Sequence, residues 1–309
     1  MSTEGDPGSG NADSTSDTIS WRALLAEATQ RFEAAEVSDA ANSARRIVEE
    51  AGGFEPVEFA LGLDDLVTTR GVARFDRMVS RRLVGEPLQY VVGRWSFRTL
   101  DLMVDSRVLI PRPETEVVAG VALGEIEHFE QPLVVDLGTG SGAIGLSIAV
   151  EHPSASVWLT DHSSDALAVA RANLAGIGRP ATRVSTAHGS WFEALPTDLR
   201  GLVAVVVSNP PYVATTDRLP SEVADWEPSD ALLAGELGRD DLDRLVTEAP
   251  TWLRPDGSLV LEMAPGQTSA LAELAAQRFE VVEVFDDLAN RPRGIVARRP
   301  RFLPPSDDR

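Results

Sequence analysis

Leu133-Val134-Val135-Asp136-Leu137-Gly138-Thr139-Gly140-Ser141-Gly142-Ala143-Ile144 is the stretch that decides the fold. A short apolar run over 133–137 reads as a buried strand, and 143–150 reads as a helix. Between them stand three glycines in five residues. Glycine lets the backbone turn tightly and approach a ligand closely. The start of a helix adds N–H donors and a field that favours a carboxylate or hydroxyls. No Gly-Lys-Ser/Thr follows, so this is not a phosphate-gripping P-loop. Gly138, Gly140 and Ala143 fit GxGxxA, which keeps dinucleotide binding open. A bare strand–helix turn is the plainer alternative, and the glycine density argues against it.

Outward from the loop, the same alternation repeats. Residues 157–161 read as a strand, 166–175 as a helix, 202–208 as a very apolar strand, 241–253 as a helix and 258–262 as a strand. A further helix is predicted over 117–127. Repeated strand–helix units imply a mostly parallel twisted sheet with helices on both faces, an α/β Rossmann-like domain over 114–300. Asp161 ends the second strand, 21 residues after Gly140. There a carboxylate can accept the ribose hydroxyls of an adenosine, or else cap the helix together with Ser163.

Asn209-Pro210-Pro211-Tyr212 follows the strand over 202–208 directly. That is the carboxyl end of the sheet, where open α/β folds bind ligands. An amide nitrogen is a poor nucleophile because its lone pair is delocalised. The Asn209 side-chain oxygen and the Pro210 carbonyl can both accept from one NH₂ group, which fixes it and turns its lone pair toward a methyl donor. Two prolines stiffen the loop, and Tyr212 can stack on a flat group. A dehydrogenase needs a hydride-acceptor site, which this tetrapeptide does not supply. The glycine-rich loop is therefore read as binding S-adenosyl-L-methionine, and the enzyme class as an N-methyltransferase.

Toward the N-terminus, residues 1–18 are small, polar and acidic and are expected to be a disordered tail. Trp21, Leu24, Leu25, Ala28 and Phe32 share one helical face, with Ser20 or Thr18 as cap. A second helix is predicted from Ser38 to the stop at Gly52 and Gly53, and a third over 71–84 with Val72, Phe75, Val79 and Leu83 as its apolar stripe. Arg70, Arg74, Arg77 and Arg81 lie on another side of that helix, as a solvated face or a contact surface. Residues 19–85 thus form a small helical domain. Residues 86–113 read as a β-hairpin linker, and 301–309 as a C-terminal tail.

The 309 residues carry a formal charge of −20, which disfavours tight non-specific binding to nucleic acid. All 28 basic residues are Arg. There is no Cys, and the four His (His128, His152, His162, His188) have no metal-ligand spacing. No metal is expected. No signal peptide or apolar span of membrane length is visible, so the expected location is the cytoplasm. A monomer is the expected state.

Taken together, these motifs resemble the release-factor glutamine methyltransferases of the HemK/PrmC type, over residues 20–300. The resemblance is carried by Glu86-Pro87-Leu88-Gln89-Tyr90, Ile110-Pro111-Arg112-Pro113-Glu114-Thr115-Glu116, the loop over 136–142, Asn209 to Tyr212, and Trp226-Glu227-Pro228. It implies that Asp136, Gly138, Thr139, Gly140, Ser141, Gly142, Asp161, Trp191 and Asn209 bind the cofactor, with Trp191 near the adenine. It implies that Asn209, Pro210, Pro211 and Tyr212 hold the substrate amide, with Asn209, Pro210 and Tyr212 catalytic. The implied substrate is the glutamine of the Gly-Gly-Gln loop of peptide chain release factors, methylated at N5, with the helical domain gripping the factor. Other N-methyl acceptors, a ribosomal-protein glutamine or a DNA base amine, stand as the alternative, and a nucleotide-binding module without catalysis as a third. Direct DNA binding is not expected. The chain departs from the family pattern at Ser190, at Met263-Ala264, and at Asn290 and Pro292. Arg112 and Glu114 either order the linker against the site or form an ordinary surface pair.

Overall fold

Val134 and Val135 are both buried, and they belong to different hydrophobic cores. A strand whose alternate residues enter two cores is sandwiched between layers. The protein, seen here as a computed structural model, is described over residues 18–55 and 57–301. The expected tails fall almost entirely outside the described residues.

Two compact units divide between Val92 and Gly93. The first contains α1 (Trp21–Ala34), α2 (Ala40–Gly52), the short α3 (Phe59–Gly62), α4 (Thr69–Leu83) and α5 (Leu88–Val92). Ser20 caps α1, its hydroxyl accepting from Ala23 N at 3.3 Å, and Gly53 ends α2 at φ +69°. Trp21, Leu24, Ala28 and Phe32 pack with Ile47, Phe75 and Val79. Of the arginine stripe, Arg74 pairs with Glu50 and Arg81 with Glu86, while Arg70 and Arg77 are exposed. The stripe is thus partly internal ion pairing. The domain boundary expected after residue 85 is displaced. Leu88-Gln89-Tyr90-Val91-Val92 is helical and its apolar residues join this first core.

The second unit opens with the expected hairpin, β1 (Arg94–Phe97) and β2 (Leu100–Met103), antiparallel. The hairpin belongs to this unit and is not a free linker. Then follow α6 (Pro113–Ile126), β3 (Leu133–Leu137), α7 (Ala143–Glu151), β4 (Ser156–Asp161), α8 (Ser164–Gly176), β5 (Val184–His188), β6 (Val203–Ser208), the short α9 (Ser221–Ala224), α10 (Asp240–Glu248), β7 (Leu253–Glu262), α11 (Thr268–Ala276), β8 (Phe279–Asp286) and β9 (Pro292–Pro300). One seven-stranded sheet runs β5-β4-β3-β6-β7-β9-β8. It is parallel from β5 to β7, and β9 pairs antiparallel with both β7 and β8. Helix α6 begins earlier than periodicity suggests, because Pro113 is preset for the first turn and Glu114 and Glu116 suit its positive end. Helix α10 is shorter than the expected 241–253: Pro250 interrupts it, and Leu253 already belongs to β7. Among the described residues no helix is long and apolar enough to cross a membrane.

Gly145 shows how closely the layers approach at the site. It lies inside α7, where Ala would ordinarily stabilise a helix by about 1 kcal/mol. Here an added Cβ would sit 2.2 Å from Leu159 Cδ2 and 3.0 Å from Asp136 Oδ2. Overpacking of this kind costs about 1–3 kcal/mol and outweighs the propensity gain. Gly145→Ala should therefore lower the urea midpoint at unchanged m-value. A raised midpoint would show that Leu159 yields freely.

Candidate active site

The parallel order places the carboxyl ends of β3, β4 and β6 side by side, and the glycine-rich turn, Asp161 and Asn209 to Tyr212 sit there, while Trp191 follows β5. The turn after β3 needs left-handed backbone at Gly138 (φ +67°), Gly140 (φ +55°) and Gly142 (φ +88°). A Cβ on Gly138 would also stand 3.2 Å from the Trp191 ring. Asp136, at the end of β3, is buried. Its Oδ2 accepts from Thr139 Oγ1 (2.6 Å) and Gly145 N (2.9 Å), whereas its Oδ1 is buried without a hydrogen-bond partner. Burial pushes this carboxyl up to about 7; the two donors oppose the shift and the nearby Asp161 adds to it.

Asp161 is buried at the end of β4. Its Oδ2 accepts from Gly140 N at 2.9 Å and its Oδ1 from Ser163 N at 2.9 Å. The cap of α8 is Ser163, whose hydroxyl accepts from Ala166 N at 3.1 Å. Asp161 is thus not the helix cap; it ties the glycine-rich turn to β4 and keeps lone pairs for further donors. Trp191 adopts φ +47°, and its Nε1 donates to Asp241 at 2.9 Å. Burial raises the Asp241 carboxyl. The departure at Ser190 is accommodated by Arg244, whose Nη1 donates to the Ser190 hydroxyl at 3.1 Å. The departure at Asn290 is a left-handed turn residue, φ +55°, a conformation that Asn tolerates better than most.

Asn209-Pro210-Pro211-Tyr212 leaves β6 where Ser208 Oγ donates to Leu137 O at 2.6 Å, locking the two strand ends together. Asn209 Nδ2 donates to Thr115 Oγ1 at 3.2 Å, and Thr115 Oγ1 donates to Glu262 Oε2 at 2.7 Å. Tyr212 Oη reaches Glu262 Oε1 at 3.4 Å. Glu262 ends β7 and is 1% exposed; burial pushes its carboxyl up to about 7. Burial, and then the Glu262 charge, push the Tyr212 phenol up to about 12. Gln267 Nε2 clamps the following loop by donating to Tyr212 O (3.0 Å) and Gly238 O (2.9 Å).

A cavity of about 350 Å³ opens over these residues. The glycine-rich turn, Asp136, Asp161, Trp191, Asn209 and Pro211 line it, together with Arg112, Thr115, His162 and Asp230. Pro210 is buried, and neither it nor Tyr212 is among the lining residues; the Tyr212 hydroxyl is directed to Glu262. Arg112 is paired with the buried Glu227 and not with Glu114, which accepts from Arg291 Nη2 at 3.1 Å. Glu227 also accepts from Ile110 N at 3.1 Å, so it holds the segment before α6 against the loop after β6. His162 Nε2 meets Asp230 Oδ2 at 3.1 Å. Residue spacing gave no role to Thr115, Glu227 or Glu262. Thr115 and Glu227 stood only within the segments that carry the resemblance. Among the described residues no group of His, Asp and Glu is arranged to hold a metal ion.

The family model for the PrmC N-terminal domain matches residues 23–93, and that for the Methyltransferase small domain matches residues 121–224. A release factor glutamine methyltransferase of Xylella fastidiosa is 42% identical over 230 residues, covering 74% of this chain and 82% of the relative. That of Deinococcus radiodurans is 38% identical over 280 residues, 90% of this chain and 98% of the relative. Among solved structures, the hMettl16 catalytic domain superposes with a TM-score of 0.52 at 16% identity, over 72% of this chain and 81% of that one, which supports the fold. With identity of this level spanning 82% and 98% of these two relatives, the chain belongs to the release factor glutamine methyltransferase family.

Proposed function

We propose that this protein transfers the methyl group of S-adenosyl-L-methionine to the side-chain amide nitrogen, N5, of the glutamine in the Gly-Gly-Gln loop of a peptide chain release factor. The observation that carries the reading is the placement of Asn209 at the cavity edge, its Nδ2 already committed to Thr115. The residues present fit the cofactor. Buried Asp136 Oδ1 has no partner and suits a cationic ligand, Asp161 retains acceptor capacity for ribose hydroxyls, and Trp191 offers a flat face beside Gly138. When bound, the cofactor supplies an electrophilic methyl group on a sulfonium.

The rest falls to the chain's own residues. Asn209 Oδ1 and the Pro210 carbonyl accept the two hydrogens of the acceptor amide, holding it in one orientation with its lone pair free. Pro211 shapes the wall of the cavity, and Tyr212 braces the loop from behind through Glu262. No strong base is required, because the proton leaves to water after the methyl has moved. The helical unit is assigned to gripping the factor. The protein is read as a cytoplasmic monomer that does not bind DNA directly, in keeping with its charge of −20.

The test is a transfer assay with labelled S-adenosyl-L-methionine and three acceptors: an intact release factor, its loop Gln→Ala variant, and duplex DNA. Label on the intact factor alone supports the reading. Label on DNA overturns it in favour of a DNA base amine, and label on neither overturns it and directs the search to other proteins carrying an exposed glutamine.

A further inference from the structure

We infer that Glu262, acting through the Thr115 hydroxyl, dictates which way round the Asn209 amide lies, and is thereby a positioning residue for the acceptor amide. The inference rests on the reading that Asn209 holds that amide. A side-chain amide has two ends of nearly equal shape and opposite hydrogen-bonding character. Asn209 is useful to an NH₂ acceptor only if it offers Oδ1. Nothing in its own sequence neighbourhood, two prolines and a strand end, chooses that end.

The choice comes from a chain of polar atoms that arrive from three distant elements. Thr115 lies in the first turn of α6, Glu262 at the end of β7, and Asn209 just after β6. A threonine hydroxyl has one hydrogen to donate and lone pairs to accept. Glu262 Oε2 lies 2.7 Å from Thr115 Oγ1, and an ionised carboxylate only accepts, so the hydroxyl hydrogen goes to Glu262. Thr115 can then only accept, and Asn209, 3.2 Å away, must turn its NH₂ toward it. Oδ1 is the end left for the substrate. Were Glu262 neutral and donating to Thr115, the hydroxyl hydrogen would turn to Asn209. The amide would then invert and face an acceptor NH₂ with donors of its own.

The surroundings of Glu262 bear on which sense holds. Burial, the largest influence, and Glu114 on α6 oppose the charged form, while the Thr115 hydroxyl, the Arg293 guanidinium on β9 and the Tyr212 hydroxyl favour it. Burial leaves the carboxyl titrating near neutrality, so the relay should acquire its working sense as pH rises through about 7.

Thr115→Val removes the hydroxyl at nearly constant shape, and Thr115→Ser keeps it. For Thr115→Val, kcat on the release factor should fall by about 10–100-fold while the Kd for S-adenosyl-L-methionine stays within about threefold; Thr115→Ser should stay within about threefold of wild type in both. The wild-type kcat should rise with pH to a plateau above about 7, and Glu262→Gln should flatten that rise. A second readout needs no acceptor protein. In ¹⁵N spectra, one proton of the Asn209 side-chain NH₂ should exchange slowly with water in the wild type and quickly in Thr115→Val. Wild-type kcat in Thr115→Val, an equal loss in Thr115→Ser, or unchanged Asn209 exchange in Thr115→Val would each overturn the inference. If the wild-type protein transfers nothing to the factor, the functional reading fails, and the Asn209 signals still decide the orientation.

Discussion

Asn209→Ala is expected to lower kcat/KM for methyl transfer to an intact release factor by about 10³-fold or more, with cofactor affinity changed by less than about fivefold. The size follows from what the side chain is asked to do. An amide nitrogen attacks only when its hydrogens are held so that the lone pair points at the methyl. In the proposed function Asn209 Oδ1 and the Pro210 carbonyl share that task, and alanine would delete one of the two acceptors. The Thr115 hydroxyl would lose its donor at the same time, but the cofactor-facing groups, Asp136, Asp161 and the glycine turn, make their contacts independently of Asn209. Equilibrium binding of S-adenosyl-L-methionine and single-turnover transfer, measured on the same preparation, separate the two effects. Transfer within tenfold of wild type would mean that the Pro210 carbonyl suffices and that Asn209 is structural.

The parts of this site that were legible in the sequence are those whose physical demands are local. Gly138, Gly140 and Gly142 are needed for positive φ within one turn, and all three adopt it. Asp161 ends a strand and Asn209 directly follows one, so the periodicity that reveals the strand also places the residue at the sheet's carboxyl edge. Where two readings of one residue competed, geometry decided: Ser163 caps α8, and Asp161 is left to the glycine turn. Periodicity failed where apolar content is ambiguous or tertiary context overrides it. Leu88 to Val92 alternates enough to pass for strand yet folds as a helical turn, and the polar edge strand β5 and the antiparallel pair β8 and β9 gave no parallel-sheet signal. The deeper layer of the site was closed to spacing arguments altogether. Thr115 meets Glu262 across 147 residues, and Ile110 meets Glu227 across 117. Only the folded sheet brings such pairs together.

Asp136→Asn is expected to produce two opposed effects that together identify this residue as the group facing the cofactor's positive charge. Only Oδ2 of Asp136 accepts hydrogen bonds, from Thr139 and Gly145, and an asparagine can offer its own oxygen in that place. The substitution therefore removes charge while keeping both bonds. In the unliganded protein the carboxyl titrates near 7 because burial disfavours its ionised form. The folded state then holds a proton that the unfolded state has released between about pH 4 and about pH 7, so unfolding free energy declines as pH rises through that window. Above the window the charge is buried and uncompensated. Urea titrations at about pH 8 should accordingly find Asp136→Asn more stable than the wild type, and the difference should vanish at about pH 4. Cofactor binding runs the other way. A cationic ligand favours the ionised carboxylate, so wild-type affinity for S-adenosyl-L-methionine should climb by up to about tenfold per pH unit below about pH 7 and level off above it. In Asp136→Asn that slope should disappear, and affinity on the plateau should fall by about 30-fold or more. A variant that gains stability and loses its ligand marks a strained, preorganised charge, since a purely structural carboxylate would lose stability without altering the pH dependence of binding. Retention of both the slope and the plateau affinity in Asp136→Asn would overturn the cation-facing assignment.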